Sequence, residues 1–584
     1  MNPWLAGLSA LAEHAWAACA VLFIIAWGFF VARASLLHFF EDSLTEAEVL
    51  SISAAGWVIP VLILSLLTLF VSLLFNAIVG GIVAIIVILF IFWLFRNKRT
   101  SSHLLIFISL LIPTLILRFA FLADQVLPSY FDSAEHYRLI HLLTESYQTG
   151  NLSYGLTSLY YHLGFHSLSA FISYFFQVEI IDLMLVIGPI LLTFLPFSFY
   201  FILKRETNST VAAFFSCLVA GFGFHMPAHV LNWGKYPALV GMLAMLVVFN
   251  LTYLLYRNDI FKHRRAIFIF LIIAIPVSVF IHSRTLVVYG LLCITFLITA
   301  SWCRLRASYR LVSFILPISL LVIEFFAIQN NFVLKTLLDT YLTKDLWMLV
   351  LLLPLTITAA MVYPKPTFFL LTWLALCILC MFIPIVIPVH GIQTLLDRPF
   401  VQMFSIVPLA LLGGFGLAGL TQWTQRFQLK PNLIQRFMHV SIVGLVLLNA
   451  ALTYQFYPSA CCRFASRDDL AAFTWLEQNL PADVNILIPS SVLSVTSKET
   501  TQSLTGVDAA IWITPLTSRK TTFAPQATQF TQPEIYQQLC IQGITHIYSG
   551  GMPESFKPIQ ENPAEYTIAF LLPQAGIYAL TGCR

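Results

Sequence analysis

The chain has 584 residues, of which 59% are hydrophobic and only 10% are charged, and its mean hydropathy is +0.86. This apolar content exceeds that of a soluble globular protein, so the composition predicts a polytopic α-helical membrane protein. The net charge of +4 is too small for the basic surface that binds nucleic acid, and we expect no nucleic-acid partner.

Apolar windows of about 20 residues, the length that crosses a hydrocarbon core, recur about fourteen times along the chain. They lie at 14–32, 56–75, 77–95, 103–123, 183–203, 209–226, 236–256, 266–281, 285–302, 311–328, 346–363, 367–389, 401–421 and 438–456. The first window lacks the basic start and small-residue cleavage site of a signal peptide, so we expect it to be retained as an anchor.

One further apolar run, 156–176, contains two histidines, several serines and glycine, so its hydropathy does not decide whether it spans. Clusters of basic residues separate the apolar windows at 96–99, 204–205, 257–265, 304–310 and 426–430. Under the positive-inside rule these clusters share the cytoplasmic side, and they do so only if 156–176 does not cross. We therefore predict a re-entrant or interfacial helix there, with both termini outside.

The first long polar stretch, 124–143, follows the fourth window and carries Asp124, Asp132 and Glu135 in a chain poor in charge. If a helix opens at Asp132, then Asp132, Glu135 and His136 share one helical face. This arrangement places two carboxylates and an imidazole at the membrane surface, as a catalytic site would. The alternative is structural, because Asp three residues before Glu also forms a capping box for helix amides.

The predicted topology places the other unusual polar clusters on the same outer side. These clusters are His162 with His166, residues 225–237, residues 282–284, residues 389–399 and the C-terminal part of the chain. We therefore predict one outward-facing cavity that collects them, although a single histidine at a helix end is usually an ordinary interfacial residue.

After residue 456 the composition becomes polar and predicts a small α/β domain. Residues 466–491 have the pattern of a capped amphipathic helix, a turn and a buried strand, and later strands are predicted at 543–551 and 566–572. The domain has neither a glycine-rich nucleotide-binding motif nor a serine-nucleophile elbow. We expect it to cover or shape the cavity.

Four of the ten cysteines lie in this C-terminal part, namely Cys461, Cys462, Cys540 and Cys583. If the domain faces an oxidising space, two of them should form a disulfide. The adjacent Cys461 and Cys462 should not pair with each other, because a bridge between neighbours is strained.

Five stretches of the sequence resemble a known protein family in their residues as well as in topology. They are DSAEH at 132–136, YYHLGFHSLSA at 160–170, NWGKYP at 232–237, WLEQNLPADVNILI at 475–488 and GVDAAIWITPLTSRK at 506–520. Together they resemble predicted prokaryotic members of the GT-C superfamily, integral-membrane glycosyltransferases with lipid-phosphate-linked sugar donors. The resemblance implies additional N-terminal helices over 1–100, a GT-C-like module over 101–456 with an outer loop at 124–155, and an extracytoplasmic α/β domain over 457–584.

The resemblance implies an inverting glycosyltransferase at the outer face of a prokaryotic cytoplasmic membrane, working in the cell envelope. Its partners would be a polyprenyl-phosphate-linked sugar donor, membrane lipids and a glycan, lipid or protein acceptor. In such enzymes a carboxylate of the first outer loop deprotonates the acceptor, and Asp132 matches that position, with Glu135 as second candidate. The cations expected to offset the charge of the leaving phosphate are Lys235, Arg284 and Arg398, with Arg519 as a weaker fourth. The alternative is snorkelling or pairing with local carboxylates, as Asp397 beside Arg398 suggests. His136, His282 and Asp397 are further residues expected at the substrate site.

Members that use diphosphate donors tend to need a divalent cation such as Mg or Mn. His162 and His166, four residues apart, could supply ligands, and the alternative is buried hydrogen bonding. The chain departs from the family in having His162 where a proline tends to stand and in the wider spacing of its acid pair.

Two other functional interpretations stay open. A transporter, or a polysaccharide polymerase or ligase, would also present an outward cavity with arginines, although the chain shows no clear inverted halves. A non-catalytic GT-C-like subunit of a membrane complex would keep the fold and lose the chemistry.

Overall fold

A computed structural model describes residues 2–95, 102–152, 161–257, 262–387, 391–426, 431–493 and 503–583. Its helices are α1 (Pro3–Glu13), α2 (Ala15–Phe40), α3 (Glu46–Gly56), α4 (Val58–Leu74), α5 (Ala77–Phe95), α6 (Ser102–Phe119), α7 (Phe131–Thr149), α8 (Gly164–Phe176), α9 (Ile180–Phe194), α10 (Tyr200–Thr207), α11 (Thr210–Leu218), α12 (Tyr236–Tyr256), α13 (Arg264–Ile281), α14 (Thr285–Arg304), α15 (Ala307–Ser313), α16 (Ile315–Gln329), α17 (Phe332–Thr343), α18 (Leu346–Val362), α19 (Pro364–Leu379), α20 (Arg398–Phe404), α21 (Ile406–Arg426), α22 (Pro431–Thr453), α23 (Arg467–Asn479), α24 (Ile513–Thr517) and α25 (Pro533–Ile541). Its strands are β1 (Pro384–Ile387), β2 (Gly391–Thr394), β3 (Asn485–Leu493), β4 (Ser503–Gly506), β5 (Lys520–Pro525), β6 (His546–Gly550), β7 (Tyr566–Leu572) and β8 (Ala575–Leu580). The basic cluster at 96–99 and parts of those at 257–265 and 426–430 lie outside the described residues.

Twelve helical segments of the described residues are long and apolar enough to cross a membrane, or thirteen if α17 and α18, which meet at 82°, form one broken span. The chain therefore has the architecture of a multi-pass membrane protein. The predicted windows match these segments with two exceptions. The window 346–363 belongs to the bent pair, and 367–389 contains α19, an apolar helix of 16 residues that is shorter than the other candidates.

The apolar window predicted over 367–389 does not form one continuous helix. The helix ends at Leu379, and the chain continues into an antiparallel hairpin in which Ile385 of β1 lies opposite Gln393 of β2. The physical reason lies in the sequence, because Pro384 interrupts a helix and the β-branched residues after it favour a strand.

The run 156–176 contains one described helix, α8, of 13 residues. At 1.5 Å per residue it is about 20 Å long, shorter than a hydrocarbon core of about 30 Å. Its side chains are buried in protein, from Phe165 and His166 to Ile172. The helix is therefore too short to cross, and its re-entrant placement stays a prediction, since residues 153–160 lie outside the described part.

The helical bundle is built around α12, whose apolar window is 89% buried. Helix α5 lies at the perimeter, where only 11% of its apolar window is buried. Helix α5 instead exposes Ile78, Leu89 and Trp93. An apolar surface of this extent is stable against lipid rather than water.

The N-terminal helices share this core. Ser51 of α3 donates to the Phe197 carbonyl at 2.8 Å and accepts from the Phe201 N–H at 2.9 Å. Residues 2–95 thus pack into the bundle and do not form a separate layer beside it.

The connections between helices gather at two ends of the bundle. At one end Asn232, just before α12, accepts from the N–H of Ser459, which leads into the C-terminal domain, at 2.7 Å. At the other end Lys262, just after α12, pairs with Asp42 at 3.1 Å, and Arg205 donates to the Ser43 carbonyl. We call these the tail end and the basic end.

The C-terminal domain has the predicted α/β character. Helix α23 opens with a capping box in which the Ser466 N–H donates to the Asp469 carboxylate at 2.6 Å. Strand β3 pairs in parallel with β5 and β6 and antiparallel with β4, and β8 lies between β6 and β7. The predicted helix, first strand and later strands are therefore confirmed.

The cysteines of this domain agree with the prediction in one respect and not in another. Cys540 and Cys583 form a disulfide with a Cα–Cα distance of 5.3 Å. Cys461 and Cys462 are also paired, so the expectation that these neighbours stay apart is wrong.

The C-terminal domain packs directly on α7. Leu127 and Ala134 belong to the same hydrophobic core as Phe473 and Trp512 of the domain. The Tyr137 ring also meets the Trp512 ring edge-on at 5.8 Å between centroids. One face of α7 is therefore fixed by the tail, which leaves the opposite face to line the bundle.

Candidate functional site

Helix α7 begins within the loop that the sequence singles out. Tyr130 precedes it with φ +68°, an uncommon conformation for a residue other than glycine. The Tyr130 N–H donates to the Cys462 carbonyl at 2.9 Å, so the chain leading into the tail domain holds the entry to the helix. Asp132 follows in the first turn, where the helix dipole favours a carboxylate.

The capping-box interpretation of Asp132 and Glu135 is not what the structure shows. The N-cap of α7 is Tyr130, without a side-chain capping bond. The Asp132 carboxylate pairs with Lys235, and Glu135 accepts two hydrogen bonds from Arg138 at 2.8 and 2.6 Å. Capping of helix amides therefore does not explain why a carboxylate stands at position 132.

Lys235 reaches Asp132 because the turn before it can lie against α7. Gly234 has φ +61°, and a Cβ there would lie 2.4 Å from the Ser133 hydroxyl oxygen, so only glycine fits without displacement. Burial lowers the pKa of the Lys235 amine, but the carboxylates of Asp132 and Asp397 outweigh burial and raise it overall. Lys235 is thus a stable cation.

Asp132 and Lys235 line a cavity of about 600 Å³ at the tail end. Eight of the eleven candidate residues named from the sequence line it, which are Asp132, Glu135, His136, His162, Lys235, His282, Arg284 and Asp397. A cavity of the predicted kind therefore exists, with acids, imidazoles and cations on its walls, but neither His166 nor any described residue of the C-terminal part is among its lining residues.

A second ion pair stands in the cavity wall. Arg284 Nη1 donates to Asp397 Oδ2 at 2.5 Å, and its Nη2 donates to Gln393 Oε1 at 3.0 Å. Asp397 also caps α20 by accepting from the Phe400 N–H at 2.9 Å. Arg284 is thereby held by two side chains that approach from the hairpin and from α20, and it remains 21% exposed.

The cavity histidines are neutral in their surroundings. Burial first, and the neighbouring cations second, lower the pKa of His136 and His162 to about 3. Burial, His162 and Arg284 also lower the pKa of His282 well below its usual range. These imidazoles can donate and accept hydrogen bonds, but they add no positive charge.

Among the described residues, His162 and His166 face different partners. His166 turns away to His136, with 3.0 Å between His166 Nε2 and His136 Nδ1, while the His162 ring lies 4.3 Å from that of His282. Among the residues that the structure describes, no group of three or more potential ligands could hold a metal ion. We therefore derive no step through a divalent cation.

Two predicted cations lie away from the cavity. Arg398 donates to the Val333 carbonyl of α17 at 3.1 Å. Arg519 donates to the carbonyls of Glu477 and Leu480 at 2.9 and 2.7 Å and so caps the end of α23. Lys235 and Arg284 are thus the cationic side chains among the described lining residues.

Tyr161 lines the cavity although the sequence analysis did not single it out, and Gln393, within the predicted polar cluster 389–399, lines it without having been named as a site residue. Gln393 enters it only because the chain forms the hairpin of β1 and β2 instead of a longer helix. The proline-bounded, β-branched run at 384–387 is a signal that would have found the hairpin.

No model of a known protein family matches this chain. A search of curated proteins likewise finds no significantly similar sequence. The functional argument therefore stands on the residues and on the geometry of the cavity. A carboxylate can take a proton, and the cations Lys235 and Arg284 in the same cavity can hold an anionic group such as a phosphate.

Proposed function

We propose that this protein is an inverting glycosyltransferase that moves a sugar from a polyprenyl-phosphate-linked donor to an acceptor hydroxyl, with Asp132 as general base. One observation carries the proposal. Asp132 stands in the cavity wall paired with Lys235, with Arg284 in the same cavity, instead of capping its own helix. A base beside cations suits a reaction that removes a proton and releases a phosphate.

In the proposed step the acceptor hydroxyl gives its proton to the Asp132 carboxylate while its oxygen attacks C1 of the sugar. The bond between C1 and the phosphate oxygen breaks, and its electron pair leaves with the lipid phosphate. A single displacement of this kind inverts C1 and requires no covalent enzyme intermediate. Lys235 and Arg284 offset the charge that grows on the leaving group.

The pairing of Lys235 with Asp132 links donor binding to the acceptor site. A donor phosphate competes with the carboxylate for the Lys235 ammonium. Once the phosphate accepts from Lys235, the Asp132 carboxylate is released to accept from the acceptor hydroxyl.

The proposal places the tail end outside the cytoplasm. Basic side chains concentrate at the opposite end of the described bundle, among them Lys204, Arg205, Arg257, Lys262, Arg264 and Arg304. Under the positive-inside rule that end faces the cytoplasm. The resemblance to prokaryotic enzymes makes a prokaryotic cytoplasmic membrane the proposed location, with the C-terminal domain outside.

The experiment that tests the proposal replaces Asp132 with Asn and measures transfer from a polyprenyl-phosphate sugar by the purified full-length protein. Loss of a general base typically costs about 100-fold or more, whereas a partly exposed ion pair costs only about 1 kcal/mol of stability. We expect transfer to collapse while the thermal midpoint changes little.

The matched control is Asp124→Asn. Asp124 lies in the same loop, its side chain is 80% exposed, and it faces Arg463 only at 4.0 Å. The control should keep full transfer. Equal activity of both variants and the wild type would refute the assignment of Asp132, and absence of transfer in the wild type with every donor sugar offered would refute the activity itself.

A transporter is the second candidate, and one observation favours it. Asp345, at the bend between α17 and α18, shares a hydrogen bond with His225, and both side chains are buried. Ionisable pairs inside a membrane bundle often mark transport routes. Substrate uptake into sealed vesicles that disappears in Asp345→Asn but persists in Asp132→Asn would favour transport over transfer.

A further inference from the structure

A second cavity, of about 450 Å³, lies within the helical bundle away from the candidate site. Its lining combines the polar side chains of Glu206, Arg257, Thr299 and Lys365 with a set of aromatic and aliphatic residues. None of these residues lines the first cavity.

The two cavities lie at opposite ends of α12. The first includes Lys235, Pro237 and Ala238 at the start of the helix, and the second includes Tyr253 and Tyr256 at its end. A helix of 21 residues is about 30 Å long. The second cavity therefore opens at the basic end, on the other side of the membrane from Asp132.

The walls of this cavity are aromatic. The Phe249 and Phe369 rings are stacked 6.2 Å apart, and the Phe296 ring packs 4.6 Å from that of Phe369. An aromatic surface of this kind accommodates an aliphatic chain and not a hydrated solute.

The rim of the cavity is polar and carries two cations against one carboxylate. Arg257 Nη1 donates to Glu206 at 2.8 Å and to the Tyr253 hydroxyl at 2.9 Å, so its guanidinium is held in place. Lys365 is exposed and lies 4.7 Å above the Tyr256 ring. No carboxylate among the described residues pairs with Lys365.

A buried polar atom deeper in the wall also lacks a partner. Thr299 is 2% exposed, and its hydroxyl makes no hydrogen bond to any described residue. Burying an unsatisfied hydroxyl is unfavourable, and in this position it can donate to an oxygen of a bound molecule. The cavity thus presents a cationic rim, a single donor below it and an aromatic floor.

We propose that this cavity binds one anionic phospholipid of the membrane leaflet at the basic end. The lipid phosphate would lie between Lys365 and Arg257, an ester oxygen would accept from Thr299, and the upper part of one acyl chain would pack on Phe249 and Phe369. The proposal does not depend on the glycosyltransferase function, since it uses none of the residues at the first cavity.

The test measures retained lipid by native mass spectrometry. Full-length protein is incubated with vesicles of phosphatidylglycerol and phosphatidylcholine in equal amounts and then released in detergent. Lys365→Ala should lower the bound phosphatidylglycerol about fivefold, which corresponds to about 1 kcal/mol for one cation near a membrane surface. Thr299→Phe should lower binding further by filling the cavity.

Controls separate the cavity from general surface charge. Lys262→Ala removes a lysine at the same end of the bundle but outside the cavity, and it should leave retention unchanged. Thr299→Val, which removes only the hydroxyl, replaces Thr299→Phe if the larger side chain prevents folding, and it should still lower retention.

Three results would overturn the proposal. The first is equal retention of phosphatidylcholine and phosphatidylglycerol by the wild type. The second is an equal loss in Lys262→Ala and Lys365→Ala, which would indicate surface charge alone. The third is unchanged retention in the folded Thr299 variant, which would place the lipid outside the cavity.

Discussion

Replacing Lys235 with Met tests whether this lysine binds the donor phosphate or only neutralises Asp132. The side chains of Asp132 and Lys235 are 19% and 30% exposed, and an ion pair with that access to water contributes about 1 kcal/mol. A charged hydrogen bond to phosphate contributes about 1.5 to 3 kcal/mol. Loss of the second interaction lowers kcat/KM roughly 10- to 150-fold, with a rise in the KM for the donor.

A double-mutant cycle separates the two roles. Transfer is measured for the wild type, Lys235→Met, Asp132→Asn and the double variant, at several donor concentrations. If Lys235 binds the phosphate, the double variant falls below Asp132→Asn by the further factor given above. Lys262→Met, at the basic end, provides the control and should leave kcat/KM unchanged.

A double variant as active as Asp132→Asn would refute this role of Lys235. In that case the lysine would matter only through the carboxylate that it neutralises. The thermal midpoint of each purified variant shows whether a loss of transfer reflects unfolding.

Two further predictions concern stability. Gly234→Ala should lower the thermal midpoint and transfer together, because alanine at φ +61° costs about 1 to 2 kcal/mol and its Cβ would lie 2.4 Å from the Ser133 hydroxyl; an unchanged midpoint would contradict this. Burial raises the pKa of Asp508 in the tail domain to about 7, so the stability that its protonated form contributes is complete below about pH 4 and is lost as pH rises through 7. Asp508→Asn should therefore flatten the pH dependence of tail unfolding measured by circular dichroism, and the exposed Asp483→Asn should not.

Much of the secondary structure follows from local pattern. The helix after Tyr130 and the helix at Ser466 were predictable because their apolar residues repeat at helical spacing, and at Ser466 the capping residues also stand at the expected places. The hairpin after Leu379 was not predictable in this way, because hydropathy alone does not distinguish an apolar strand from an apolar helix. Only the proline and the β-branched residues distinguish the two.

The sequence predicted most of the candidate residues that line the cavity, but not which of them pair with each other. The predicted topology placed Asp132, Lys235 and Arg284 at one end of the bundle, because the basic loops predict which end of each span faces the cytoplasm. The partners depend on packing between distant segments. Asp397 adjoins Arg398 in sequence, yet it pairs with Arg284, since Asp397 caps α20 and presents its other oxygen to the cavity.

The contact between α7 and the C-terminal domain has a consequence for biosynthesis. Ala134 leaves the ribosome more than 300 residues before Phe473, its partner in the shared core. At 5 to 20 residues per second this interval is roughly 15 to 70 seconds. During that time the apolar side of α7 has no cover and the entry at Tyr130 lacks its acceptor at Cys462. A nascent chain therefore completes the packing around α7, and with it the setting of Asp132, only as translation of the C-terminal domain ends.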